Sequence, residues 1–443
     1  MIQSRKSPPS HNQQGRGAHE NRIWWILLVL ALAVANGFAQ SSTAVIEVPN
    51  PPNTSPQQSK HYVILVSLDG FRYDYAAKYG AKNLLAMAAR GASAPNGMIP
   101  SYPSLTFPNH YTLVTGLYPE HHGIVANTFY DPGRKETYSL SNPKATGDGT
   151  WYGGTPLWVL AEQQGMRTAT FFWPGSDAEI QGTRPSYYLA PYDDKFPDEK
   201  RVQQVLAWLQ LPPEKRPHFI TLYDPEPDHS GHIYGPDSAE TAEAVRRVDE
   251  MVGKLSEGIK ASGLPVDLIV LADHGMETLQ GSWIALDKWA ELSQFETSGP
   301  LIYAKSEEDA QKAYQSLLGA SDTFKVYRRA QVPAYLHFNS NPREGDPVVV
   351  PTGPYPLVAH DPNSGGGTRK PPLGGHGYDP RQMPTMKAIF FAAGPDIRQG
   401  VTVGSFENVD VYPLIAKILG LRTGPIDGNL RPLHGIIKKN SRN

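Results

Sequence analysis

Long apolar runs, rather than alternating ones, set the plan of this chain. Residues 62–68 (Tyr-Val-Ile-Leu-Val-Ser-Leu), 217–223 (Pro-His-Phe-Ile-Thr-Leu-Tyr) and 266–272 are nearly uninterrupted. That is the pattern of strands covered on both faces. Shorter runs at 167–173 and 386–392 read as further strands. Between them the spacing changes to a helical one. Residues 239–262 place Ala242, Val245, Val248, Val252, Leu255 and Ile259 on one face of a long helix. Residues 81–90, 156–165, 202–211 and 409–419 give shorter helices. Strands alternating with helices predict an α/β sandwich, with a central, mostly parallel sheet flanked by helices.

Two stretches depart from this alternation. Residues 40–60 are rich in Pro, Ser, Asn and Gln and carry no hydrophobic period, so they read as a disordered linker before a domain spanning about 61–435. From about 279 to 372 the pattern breaks into a helix at 306–319, a strand-like 332–338 and a Pro- and Gly-rich loop at 361–372. This reads as an inserted cap packed over the site, not an independent domain. At the N-terminus, Arg5, Lys6, Arg16 and Arg22 precede an apolar run at 23–35, and Gly37-Phe38-Ala39 follows it. Residues 1–39 therefore read as a signal peptide, with an uncleaved anchor as the alternative.

Composition narrows the chemistry. The chain has 443 residues, a net charge of -2 and no cysteine. The charge gives no footing for a polymeric nucleic acid. The lack of cysteine removes disulfides, thiolate metal sites and a Cys nucleophile together. Export without cysteine suits a bacterial periplasmic or secreted protein, bound to a membrane only if the N-terminal segment stays uncleaved.

Candidate chemistry gathers where strands end. Asp69 follows the run at 62–68. Asp228 and His232 follow the run at 217–223, Asp273 and His274 follow the run at 266–272, and His376 sits in a Gly-rich turn. Strand ends are where open α/β sheets bind ligands. Carboxylates with imidazoles and no thiolates suit zinc or a similar divalent ion, and the set is large enough for two. Thr106 lies just ahead of Pro108, and residues 109–115 read as a short helix stopping at Gly116. Thr106 is thus either an N-cap or a nucleophile whose hydroxyl is activated by a bound metal. Asn127 is a candidate amide donor to a bound anion, alongside backbone N–H groups near Thr106.

These segments, in this order, resemble one family. Thr106-Phe107-Pro108-Asn109-His110-Tyr111, Thr115-Gly116-Leu117-Tyr118-Pro119 and His122-Gly123-Ile124 carry the likeness. So do Pro227-Asp228-His229-Ser230-Gly231-His232, Asp273-His274-Gly275-Met276 and Gly375-His376-Gly377-Tyr378. They resemble the nucleotide pyrophosphatase/phosphodiesterases of the alkaline phosphatase superfamily, in their compact bacterial form. The resemblance implies an alkaline-phosphatase-like fold and two zinc ions, one held by Asp69, Thr106, Asp273 and His274, the other by Asp228, His232 and His376. It implies a nucleotide or phosphodiester substrate, a phospho-threonine intermediate on Thr106, and a nucleobase stacked between Phe107 and Tyr223. Leu105 departs from the Lys that nucleotide-active animal members often carry before the nucleophile. Alternatives of the same superfamily are a phosphomonoesterase, a phosphonate hydrolase or a lipid-headgroup phosphodiesterase. One of another class is an inactive binding protein.

Overall fold

The structure is a computed structural model that describes residues 43–439; the leader assigned to residues 1–39 lies outside them. Nine strands form the main sheet: β1 (Ala44–Glu47), β2 (Tyr62–Leu68), β3 (Ala92–Ser93), β4 (Thr168–Phe171), β5 (Tyr187–Ala190), β6 (Phe219–Asp224), β7 (Val266–Leu271), β8 (Phe390–Ala393) and β9 (Val401–Thr402). Their spatial order is β1-β5-β4-β6-β2-β7-β8-β3-β9. The five strands from β5 to β7 run parallel, and β1 and β8 join them antiparallel. All seven residues of β2 are buried, as are all of β6 and β7. The fold is α/β, with the mostly parallel sheet expected.

Seven helices matter for the site: α1 (Lys82–Arg90), α2 (Thr106–Thr115), α3 (Leu157–Gln163), α4 (Asp198–Leu209), α5 (Asp228–Tyr234), α6 (Ala239–Ser262) and α7 (Val411–Leu419). The long α6 buries Val245, Val248, Val252, Leu255 and Ile259 and packs on α1 and α4. Helix α7 packs on β2 and α2. The register pairs Ser67 with both Tyr223 and Leu271. Asp69 and Asp273 therefore leave the same edge of the sheet, one strand apart.

Two expectations are corrected. The segment read as a disordered linker is ordered from its first described residues. β1 pairs with β5, Ser55–Gln58 forms a helical turn, and Asn53 is buried. Its order comes from polar contacts. Asn53 donates to the Pro213 and Arg216 carbonyls and accepts from the Arg167 N–H, so no apolar face was needed. The strand expected at 332–338 is instead a 3-10 turn, Ala334–Leu336, just after another at Arg329–Gln331. Pro333 cannot donate to a ladder, and His337 adopts a left-handed φ of 49°.

The cap has a small core of its own around Leu286, Leu292, Ile302, Leu317 and Phe324. Arg343 ties it to the main body. Its guanidinium donates to Asp131 at 2.7 Å and to the Gly123 and Trp151 carbonyls, and it lies over the Phe129 and Trp151 rings.

Candidate metal centre

Most of the candidate side chains are delivered by the end of a strand or the start of a helix. Asp69 is one residue past β2, and Asp228 opens α5. Gly70 makes their approach possible. Its φ of +66° is left-handed, and a Cβ there would meet the Asp228 Cβ at 2.8 Å. The Asp228 N–H donates to the Asp69 carbonyl, which fixes the two segments to each other. Asp273 follows β7 and accepts from the Gly70 N–H. Leu105, not Thr106, is the cap residue of α2. The Thr106 hydroxyl does not cap the helix; it points to His274 Nε2 at 3.3 Å.

The other distances close the cluster. His274 Nε2 lies 2.9 Å from Asp273 Oδ2 and 3.6 Å from Asp69 Oδ1. His232 Nε2 lies 3.3 Å from Asp228 Oδ2 and 3.2 Å from His376 Nε2. His376 Nε2 is 3.5 Å from Asp228 Oδ1. The His274 and His376 rings stack at 3.7 Å. Seven residues expected as ligands thus occupy one site.

The three histidines share one arrangement. His232 Nδ1 faces the Gly374 carbonyl at 2.8 Å, His274 Nδ1 the Gly275 carbonyl at 2.9 Å, and His376 Nδ1 the Ser104 carbonyl at 2.9 Å. A carbonyl only accepts, so each Nδ1 carries a proton and each Nε2 is the nitrogen turned inward, the one that loses its proton when a cation binds, as in metal-ligating histidines. The carboxylates fit as well. Asp69 Oδ1, Asp228 Oδ1 and Asp273 Oδ2 are buried with no hydrogen-bond partner, a costly state that a cation relieves. Burial, then Asp273 and Asp228, pushes the Asp69 carboxyl well above its usual value. At Asp228 burial is outweighed by the charge and hydrogen bond of His232, which hold it at about 2, and Asp228 in turn outweighs the burial of His232 and raises that imidazole to about 9. Burial pushes His376 down to about 3, leaving it neutral and able to ligate. Donor set, orientation and orphaned oxygens all suit divalent ions.

The sequence reading missed a layer under the ligands. His110 on α2 is fully buried. Its Nε2 pairs with Ser67 Oγ at 2.8 Å, and its Nδ1 lies 2.9 Å from the Thr106 carbonyl and 3.4 Å from Asp273 Oδ2. It braces the Thr106 backbone and the Asp273 carboxylate together. The i, i+4 spacing from Thr106 was the available signal.

Tyr223 belongs to this layer too, which corrects its expected stacking role. It is only 8% exposed, its ring packs edge-on against His110, and its hydroxyl donates to Asp69 Oδ2 at 2.7 Å. The exposed aromatic here is Tyr192, 53% accessible, whose ring lies 5.1 Å from Phe172 and 6.2 Å from Tyr223. Phe107 is half-buried against Tyr138 and keeps an accessible part. Asn127 Oδ1 accepts from the Phe107 N–H at 2.9 Å. That N–H is therefore not free for an anion, and the amide NH2 of Asn127 is the end left to donate. His229 is exposed and stands apart from the ligands.

Residues 63–379 match the type I phosphodiesterase / nucleotide pyrophosphatase family. The chain belongs to that family. It is 38% identical to ectonucleotide pyrophosphatase/phosphodiesterase family member 1 of Homo sapiens over 393 residues, covering 85% of this chain and 42% of that protein. It is 36% identical over 423 residues to an uncharacterized pyrophosphatase/phosphodiesterase of Schizosaccharomyces pombe, covering 91% of this chain and 86% of that one. The chain thus spans about two fifths of the mammalian relative and most of the yeast one. Murine ectonucleotide pyrophosphatase/phosphodiesterase 5, in an inactive form in complex with AMP, matches with a TM-score of 0.79 and 30% identity. The match covers 86% of this chain and 100% of that one.

Proposed function

We propose that this protein is a two-zinc hydrolase that cleaves nucleotide pyrophosphate or phosphodiester bonds through Thr106 and releases a nucleoside monophosphate. The observation that carries the reading is the inward aim of three histidine Nε2 atoms and three unpartnered carboxylate oxygens around the Thr106 hydroxyl. Family membership supports the same reading. One ion would be held by Asp69, Thr106, Asp273 and His274 and the other by Asp228, His232 and His376. Zinc bound there lowers the pKa of the hydroxyl and offsets charge on the phosphoryl group.

The chain's own residues supply the rest. The helix start holds Thr106 Oγ1 in place, and His110 fixes its carbonyl. In the first step the Oγ–P bond forms as the hydroxyl proton goes to solvent, and the P–O bond to the departing group breaks, its electron pair staying on the departing oxygen, which takes up a proton from solvent when it leaves as an alcohol. Water then breaks the Oγ–P bond and returns a proton to Thr106. One water is consumed per turnover. The Asn127 NH2, oriented by its bond to the Phe107 N–H, is placed to donate to a phosphoryl oxygen. Phe107 and Tyr192 offer faces on which a nucleobase stacks. We extend the reading to an exported protein, on the sequence of residues 1–39 alone.

The test compares the p-nitrophenyl ester of TMP with p-nitrophenyl phosphate. Much faster cleavage of the diester is expected; the reverse order points to a monoesterase. Thr106→Ala is expected to keep both ions by metal analysis and lose turnover. Substantial remaining turnover would remove Thr106 from the nucleophile role.

A further inference from the structure

A cavity of about 540 Å³ opens between the metal centre and the cap, a size suited to a small-molecule group. His232, His376, Asn127, Thr128 and Ser298 are on its polar side. Leu105, Trp283, Phe338, Val349, Tyr355 and Leu357 are among the apolar and aromatic residues of the rest. No Lys, Arg, Asp or Glu lines it. Leu105 is fixed there, its side chain lying against Gly377, where an added Cβ would meet Leu105 Cδ2 at 3.0 Å.

Position identifies the cavity's use. It reaches His232 and His376 but not Thr106, Asp69 or Asp273. It also leaves out Phe107, Tyr192 and Phe172, so it is not the face on which a base would stack. In-line displacement at phosphorus expels the leaving group opposite the attacking oxygen. The cavity meets the centre at His232 and His376, whereas the Thr106 hydroxyl meets it at His274.

We propose that this cavity is the leaving-group subsite, and that it selects nucleotide diesters whose departing alcohol carries an uncharged, apolar body over those that release a polyphosphate. The inference rests on the nucleotide phosphodiesterase reading above. An apolar wall gains by covering an apolar group. A polyphosphate tail in the same place loses water and finds no cation among the lining side chains. Leu105, one residue before the nucleophile, is the specificity-determining position.

Binding to the Thr106→Ala protein, with zinc present, separates affinity from turnover. Titration calorimetry compares AMP, its phenyl ester, its octyl ester and ATP. At least one ester is expected to bind about 10-fold tighter than AMP, as burying two or three methylenes or a ring implies, and ATP no tighter than AMP. A tighter phenyl ester identifies an aromatic leaving group, a tighter octyl ester an alkyl one; either supports the subsite. ATP binding tighter than both esters overturns it. Adding Leu105→Lys is expected to shift the ATP-to-ester affinity ratio about 10-fold toward ATP, and in the Thr106-containing enzyme to move the kcat/KM ratio the same way. An unmoved ratio overturns the role of Leu105. Failure of AMP to bind at all, with no diester cleaved by the unsubstituted protein, instead overturns the parent reading.

Discussion

The Tyr223 hydroxyl donates to Asp69 Oδ2 at 2.7 Å. The residue pair joins β6 to the segment after β2, and it leaves Oδ1 as the oxygen turned toward His274. Tyr223→Phe keeps the ring and removes only that bond. Zinc affinity is expected to fall about 10-fold or more, with KM for nucleotide diesters unchanged once zinc is saturating. A raised KM at saturating zinc would restore the stacking role.

Phe107 and Tyr192 carry the opposite expectation. Replacing either with Ala removes a face on which a base stacks, worth about 1–3 kcal/mol. KM for nucleotide substrates is expected to rise about 10-fold, with zinc content unchanged. Equal loss on a methyl phosphodiester lacking a base would show a general rather than a base-reading role.

Asp228 meets His232 and His376 and lies next to Asp69 through the turn at Gly70. Asp228→Asn removes the anion from one of the two sites. Metal analysis is expected to fall from about two ions per chain to about one. Two ions retained would make Asp228 a turn residue only.

At the opposite end of the sheet, Asp267, Asp396 and His61 form a separate group. His61 Nδ1 pairs with Asp396 Oδ2 at 2.6 Å. Burial, then Asp396, pushes the Asp267 carboxyl up to about 8. Between pH 4 and 8 the folded chain keeps a proton there that the unfolded chain has lost. This contribution is complete below the unfolded value and fades as pH rises through about 8. Asp267→Asn is expected to flatten the fall in stability from pH 5 to 8, read from denaturant midpoints. An unchanged slope would show that Asp267 is ionised in the fold.

Arg343 fastens the cap through Asp131 and two carbonyls. Arg343→Ala leaves Asp131 without its partner, and a loss of about 3 kcal/mol is expected. Urea unfolding measures it, with zinc content as the control that the centre persists.

The strands β2, β6 and β7 and the helix α6 were legible because burial on both faces, or a clean apolar stripe, leaves a mark in sequence. The candidate ligand segments were legible because Asp69, His232, His274 and His376 each sit beside Gly, near where an apolar run ends. Tyr223 was misread because nothing in a run such as Phe-Ile-Thr-Leu-Tyr tells which side of a strand end the last ring faces. The register with Ser67 decides it. Residues 44–58 were misread because their order comes from Asn53 and from strand pairing, and neither leaves a hydrophobic period. His110 escaped notice because its partners, Ser67 and Asp273, are distant in sequence.

The residues of the centre come from both ends of the domain, with Asp69 past its second strand and His376 just before its eighth. No chain that starts after Asp69 or stops before His376 contains them all. On the two-ion reading proposed above, a nascent or clipped polypeptide that stops short of His376 lacks a donor for one of them, and occupancy would serve as a readout of complete assembly. Ions bound only by the finished fold would also raise its resistance to heat, with the logarithm of their free concentration.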